Sequence, residues 1–586
     1  NNDSTSSWNS SDMAADLEGS YQIVVASGAN ARNAWDGSDS TDWNTAANWS
    51  LGAVPSSSDT PIIDSGTNTL TISGDVSIAG VTVLSGGGIV ISSDGSLTLT
   101  GDFKNYGSVT MNSSSTSFPS LIVQGNATGN VTYKRFVNYA SDGEWDLVGS
   151  PVDGLDINTF VSTNTSGTAT LATNGVQYAL GIYDNSNNDW SNYTSDGSGA
   201  GNVNAAGNFD IGKGYQMATV QGGTQMLEFT GTIATTDQVQ SIINNHASSG
   251  RRWNLVANPY PSYLKLNDDA DGTNNFLTVN GNNSVIDSNY LASYGWDADG
   301  TGFTPRGQDF NSDTAIYIAP GQAFMVAANS ANAANLSFTE AMQTTTGGDD
   351  FIQGDVMQIN QLTLKLYNED DSLIKNTHIK FRENMTAGLD PGYDLGCYNQ
   401  DDALSTRLLD VDNGINFEYQ QLPLSFMNDA VIPLVINRLA GEEFRVSLFT
   451  STIENQEIFL EDALLGTFTN LLVEDYSLLA QQDIEGAGRF FIHMSSETMS
   501  FDDQTTNFLS VYKEIDLPYI TIEGLLTHAN NTKFRLYDVF GKLIMNLSLD
   551  SSSNTENIST LGLSPGVYIV EVESGSDKFV KKIPIQ

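Results

Sequence analysis

An all-β, multidomain architecture is predicted by three observations. Short runs that alternate apolar and polar residues recur along most of the 586 residues. Fifty-four glycines, with abundant Asn, Ser, Thr and Asp, break those runs at short intervals. Few stretches hold a helical period for long, and the chain exceeds what a single core organises, so four or five domains are expected. The expected chain is a short β-solenoid, duplicated β units, a β-sandwich or jelly roll, and a C-terminal Ig-like module.

Residues 1–30 are rich in Ser, Asn and Asp and read as linker. The chain opens Asn1-Asn2-Asp3-Ser4 without Met or an apolar signal core, so the expectation is a mature form or a piece of something longer.

Residues 31–130 begin with Trp35, Trp43 and Trp49 in close succession. Three Trp offer either a sugar-stacking platform or a cap on a core, and the cap is favoured. Behind them come Leu70-Thr71-Ile72, Val76-Ser77-Ile78, Val81-Thr82-Val83, Ile89-Val90-Ile91, Leu97-Thr98-Leu99, Val109-Thr110-Met111 and Leu121-Ile122-Val123. Such quasi-regular spacing predicts a short β-solenoid whose open end needs covering.

An internal duplication follows. Trp145-Asp146-Leu147-Val148-Gly149-Ser150-Pro151 recurs as Trp253-Asn254-Leu255-Val256-Ala257-Asn258-Pro259, offset by 108. Gly212–Met217 matches Gly321–Val326, and Leu227–Thr230 matches Leu336–Thr339, both offset by 109. Three landmarks at one period predict two related β units, 131–235 and 236–347, packed side by side with a ligand cleft expected between them. Polar insertions interrupt each unit, and those of the second carry Asp268-Asp269-Ala270-Asp271-Gly272 and Asp297-Ala298-Asp299-Gly300. Asp-x-Asp-Gly offers carboxylates and a turn to calcium, but no Glu follows at the twelfth position, so each loop alone reads as a solvated turn. With so many acidic loops at least one cation site is expected, and Asp268, Asp271, Asp297 and Asp299 are the candidates. No other cofactor is indicated.

Residues 348–507 hold further alternating runs, among them Leu362–Leu366, Val431–Ile436, Phe444–Leu448 and Arg489–His493, which predict a β-sandwich serving as a rigid spacer.

In residues 508–586 three strands are predicted: Lys533–Asp538, Val567–Val572 and Lys578–Pro584. Gly541 stands where a tight hairpin needs positive φ, and Pro565-Gly566 marks a turn before the most apolar strand. This segment carries seven Lys or Arg against nine Asp or Glu, net −2, whereas the whole chain carries 24 against 69, net −45. A nearly neutral terminal module on an acidic body suggests a separate task. Lys578, Lys581 and Lys582 are suited either to an acidic partner surface or to a solvated strand edge that discourages strand addition.

The charge argues against nucleic acid, which demands clustered cations. One cysteine, Cys397, excludes an intrachain disulfide framework. The four histidines, His246, His378, His493 and His528, fall in four predicted units, and metalloprotease, P-loop, nucleophile-elbow and dinucleotide motifs are all missing. A non-enzymatic protein is therefore expected. With 69 acidic residues, a carboxylate pair of a glycoside hydrolase stays open as the alternative.

The runs LYDVFGKLI (536–544), LSPGVYIVEV (563–572) and the basic ending KFVKKIPIQ (578–586) resemble the type A C-terminal sorting domain of type IX secretion cargo. The motif residues carried over are Leu536, Tyr537, Asp538, Gly541, Lys542, Pro565, Gly566, Tyr568, Lys578, Lys581 and Lys582. The block from Trp35 to Pro55 is similar to a segment of large surface proteins of that secreted class, and Asp390–Gly396, Ile458–Asp462 and Arg489–His493 resemble the domain that often precedes such a sorting domain. The resemblance implies a Bacteroidota cell-surface or secreted protein, adhesive or part of gliding motility, that travels through periplasm and outer membrane. Its implied partners are the translocon and an outer-membrane shuttle barrel, then a lipopolysaccharide after sorting and surface glycans as ligands. A carbohydrate-binding or polysaccharide-degrading secreted protein is the alternative.

Overall fold

The computed structural model describes residues 32–139, 145–166, 171–246, 251–297, 302–308, 314–349, 360–453, 456–495, 508–514, 517–528, 532–575 and 577–585. The linker expected over 1–30 lies outside them. The described chain is β throughout, with two α-helices, and bears out the all-β class.

The alternating runs after Thr69 coil into a three-sided parallel solenoid. Leu70, Ile89 and Val109 stack on one side, Val76, Leu97 and Leu121 on the second, Val81, Phe103 and Ala127 on the third. Each coil repeats the same alternation, so apolar side chains fall into vertical ladders inside the coil, where full burial stabilises by about 1.5–3 kcal/mol per large side chain. At the N-terminal end the three tryptophans are buried, each 2% exposed. Trp49 meets Trp35 and Trp43 edge-on at 5.2 and 4.8 Å. The indole N–H of Trp49 donates to the Trp43 carbonyl at 2.8 Å and that of Trp35 to the Asn68 carbonyl at 2.9 Å. Rings so enclosed cap the coil and leave no face for a sugar.

The other open end is closed by the duplication itself. Val131–Phe136 continues one solenoid sheet in parallel with Ser108–Asn112 and pairs antiparallel with Met226–Gly231 of the first unit. One hydrophobic core consequently runs from Trp35 to Ile233.

The two units repeat each other element by element. Each has a strand pair (Val131–Phe136 with Met226–Gly231; Gln238–Ile242 with Ala334–Phe338). Each also has a short helix (Ile157–Asn164; Phe276–Asn282) capped by a side chain, Asp156 accepting from Thr159 N–H and Asn275 from Thr278 N–H, both at 2.8 Å. The helices are pinned alike. The Asn164 amide donates to the Phe160 and Glu228 carbonyls and accepts from Glu228 N–H. Asn280 does the same with Phe276 and Ser337.

The copies meet across a pseudo-twofold axis. Val148 bridges to Gln322 and its equivalent Val256 bridges to Lys213, the equivalent of Gln322. Gly149 N–H donates to the Gly321 carbonyl at 2.8 Å, and Ala257 N–H to the Gly212 carbonyl at 2.8 Å. Such reciprocal exchange is the signature of an isologous interface. Gly149 and Gly214 stand on the seam, where an added Cβ would lie 2.3 Å from the Ala257 Cβ and 2.6 Å from Leu255 Cγ. At these positions the copies touch too closely for a ligand to lie between them, where a cleft was expected.

Beyond the second unit, eleven strands from Gln361 to Ser495 form one hydrogen-bonded sheet. It folds over, because Phe444 and Tyr476 near one end of the ladder reach Phe490 near the other, with ring centroids 6.4 and 5.9 Å apart. The folded sheet is not separate from its neighbour. Trp253 stacks on Tyr398 at 4.4 Å, and Tyr294 hydroxyl donates to the Gly396 carbonyl at 2.7 Å.

Candidate functional site

Residues 508–585 form two facing sheets, Ser510–Tyr512/Tyr519–Glu523/Thr555–Ser559 and Leu543–Ser548/Lys533–Asp538/Gly566–Ser574/Asp577–Ile585, the latter given in spatial order. Alternation places Phe534, Leu536, Tyr568, Val570, Val572, Ile583 and Ile585 in the core between them.

The motif residues have separable roles. Leu536 is core, and Tyr537 beside it is half-buried. Asp538 builds the hairpin tip: its Oδ1 accepts from the N–H groups of Phe540 and Lys542, both at 2.9 Å, while its carbonyl accepts from Gly541 N–H at 3.0 Å. Gly541 has φ +80°, which no residue with a Cβ adopts cheaply. Pro565 and Gly566 are exposed and start the next strand, and Tyr568 reaches back so that its hydroxyl donates to the Ser564 carbonyl at 2.9 Å.

What the tip presents is apolar. Phe540 is 92% exposed, with Val539 exposed beside it. The edge strand Leu543–Ser548 continues the surface with Leu543, Ile544 and Leu547, every residue of it exposed except Met545. At this tip the sequence analysis singled out Gly541 and gave Phe540 no role. The signal available was an aromatic flanking the tip glycine, where turn chemistry calls for a polar residue.

The three C-terminal lysines are not one cluster. A strand's period of two sends Lys578 and Lys582 to the outer face and Lys581 to the opposite one. Lys578 pairs with Glu571 at 2.7 Å, beside Arg535, which pairs with Glu571 and Glu573 at 2.6 Å each. Lys581 donates to the Asp412 carbonyl at 2.6 Å, across a domain boundary. Lys582 is exposed.

Of the carboxylates put forward for calcium, Asp268 and Asp271 lie among the described side chains and are engaged by donors of the chain itself. Asp271 Oδ1 accepts from Thr273 and Asn274 N–H, and its Oδ2 accepts from Lys265 Nζ at 2.9 Å. Those N–H groups, that of Asn274 foremost, and the ammonium hold its pKa well below the usual carboxylate range. Asp268 Oδ1 accepts from Asn275 Nδ2 and Thr278 Oγ1. Donors therefore already take both oxygens of Asp271 and Oδ1 of Asp268, and a calcium shell would have to displace them. Asp297 ends the strand Ser293–Asp297, and Asp299 lies outside the described residues.

Among the described residues one group has metal-like spacing, Cys397, Asp402 and Glu418. Lys375 already occupies it, 3.1 Å from Asp402 and 2.6 Å from Glu418. Burial, then the neighbouring carboxylate of Asp402, pushes the Cys397 thiol far up, so it keeps its proton beside this ion pair. His378 is held neutral, its pKa lowered to about 3 by burial and by Lys380, Lys375 and Lys365, and it stacks on Tyr419 at 4.3 Å. His493 Nε2 lies 2.6 Å from Glu461. A cavity of about 420 Å³, lined by Asp268, Thr278, Gln308, Asn329 and Tyr393 among others, opens between the second unit and the folded sheet.

Comparison with known families divides the chain where the structure does. Residues 518–586 match the Secretion system C-terminal sorting domain. Residues 34–494 match, without a break across solenoid, both units and folded sheet, the family described as Domain of unknown function (DUF8693). No curated protein gives a significant match. The terminal match identifies the chain as type IX secretion cargo of a Bacteroidota bacterium, exported to the cell surface or the extracellular space. The chain thus belongs to the DUF8693 family, carried out of the cell by a sorting domain at its end.

Proposed function

We propose that the passenger is a structural and adhesive component of the cell surface, of the kind used in gliding, and that the apolar tip and edge of the sorting domain are what the export machinery holds. The observation that carries the second half is Phe540, 92% exposed on a tip that Asp538 fixes in place. An exposed aromatic on a rigid support is the usual anchor of a protein interface. The partner in this reading is an outer-membrane shuttle barrel working after the translocon, with lipopolysaccharide attachment downstream. Support for the first half is the continuity of the body, one run of packed β structure from the Trp cap to the folded sheet, as suits a load-bearing rod. The test is a reporter carrying an export signal and residues 508–586: it should appear outside the cell, and Phe540→Ser should keep it inside while leaving the domain folded. Export of the Phe540→Ser reporter at the unaltered level removes the tip from the mechanism.

Glycan binding is a second reading, favoured by the cavity of about 420 Å³ whose lining includes Tyr393, an aromatic ring of the kind on which a neutral sugar stacks. A glycan screen of the full chain against Tyr393→Ala tests it, and equal binding by both rejects it.

A further inference from the structure

The sorting domain is seated on the passenger. Arg407, 1% exposed on the passenger side, pairs with Glu523 of the sorting domain. Its guanidinium lies 5.1 Å over the Tyr512 ring, and the Tyr512 hydroxyl donates to Glu523 Oε1 at 3.0 Å. Asp412 of the passenger accepts from the Ser510 hydroxyl through its carboxylate, and through its carbonyl from Lys581 Nζ. Asn554 returns the exchange, its amide donating to the Glu485 and Ala487 carbonyls at 2.8 and 2.9 Å.

Two glycine contacts show how close the approach is. A Cβ on Gly488 would stand 2.4 Å from Gly524 Cα, and one on Gly414 would stand 2.1 Å from the Tyr512 ring. Phe491 and Phe508 meet edge-on at 5.8 Å on the same boundary. A domain joined only by its connecting chain keeps its charges in water. Here a buried guanidinium is shared between Asp412 of its own body, at 3.8 Å, and Glu523 of the other, so separating the bodies strips Arg407 of its closer carboxylate and the Tyr512 ring that covers it. Backbone contact closed by glycines adds the shape fit of a permanent interface.

We propose that the sorting domain remains bound to the passenger as a non-covalent subunit after the chain between Ser495 and Phe508 has been cut. The face carrying Lys581, Ser510 and Glu523 belongs to the passenger. The opposite face, with Lys582, and the tip at Phe540 are what a partner meets. Cutting alone does not release the domain.

The experiment places a site-specific protease sequence between Ser495 and Phe508 in the full chain, cuts it, and runs size-exclusion chromatography at low micromolar concentration. Both pieces are expected to elute together. The Asn554→Ala/Lys581→Ala variant removes three hydrogen bonds across the boundary without stranding Arg407, so it should fold, and after cutting it should bind at least tenfold more weakly. Separate elution of the pieces from the unaltered interface overturns the proposal. So does a cut variant that holds together as tightly as the parent, because the named contacts would then not be what joins the two.

Discussion

Gly149 and Ala257 face each other across the pseudo-twofold seam, so close that a Cβ on Gly149 would come within 2.3 Å of the Ala257 Cβ and 2.6 Å of the Lys213 carbonyl oxygen. Gly149→Ala should therefore destabilise by about 1–3 kcal/mol, the usual cost of overpacking. Adding Ala257→Gly should recover part of that loss, because the Lys213 oxygen stays where it is. Denaturant midpoints of the single and double variants measure both effects, and strict additivity would place the clash elsewhere.

Asn164 and Asn280 hold equivalent helices to equivalent strands, so their loss should cost alike. Each substitution by Ala leaves a buried Glu228 or Ser337 N–H unpaired, at about 1–3 kcal/mol. Calorimetry of the two variants should show similar shifts. A large effect at one site and none at the other would mean that the two units do not share one stabilising plan.

His378 supplies a pH dependence whose sign is fixed by its lowered pKa. The folded state refuses a proton that the unfolded state accepts near pH 6.5, so the stability due to this group is present above that pH and is lost as pH falls toward about 3. The cause is burial first, then Lys380, Lys375 and Lys365 around the ring. His378→Gln keeps a polar group for Thr363 and should flatten the acid-side fall between pH 6.5 and 4 in urea midpoints. An unchanged slope would assign the acid sensitivity to other groups.

Lys578, Lys581 and Lys582 should give three different phenotypes when each is changed to Glu. At 578 the new charge meets Glu571 in place of an ion pair. At 581 it meets the Asp412 carbonyl and weakens the seat on the passenger. At 582 the change touches solvent and leaves stability within about 0.5 kcal/mol. Thermal melts combined with an export assay separate the cases, and an export defect at Lys582 without a change in melting would mark a partner contact.

How much of this was legible in sequence follows from the range of each signal. Alternation such as Leu70-Thr71-Ile72 is local, and the solenoid ladders follow directly from it. The duplication was visible because Trp145 to Pro151 and Trp253 to Pro259 keep the same order of residue types. The two short helices were not visible, since eight and seven residues with mixed polarity give no sustained period. Nor was the split of the three lysines, because adjacency in sequence hides the alternation that sends Lys581 to the face opposite Lys582. The donors around Asp271 were equally hidden. Lys265 lies in a strand whose approach is set by tertiary pairing with Tyr317–Ile318 and Gln343–Thr344. The exposed tip at Phe540 was written in the motif itself, but its burial could be judged only once the strands on either side were placed.

The seam between the tandem units amounts to a homodimer written into one chain. A dimer held by so narrow a set of backbone exchanges forms only as far as its concentration allows. Here the second copy follows the first without interruption and is always at millimolar effective concentration or more. The pair should hold its geometry when diluted outside the cell, where no reservoir of partner subunits exists.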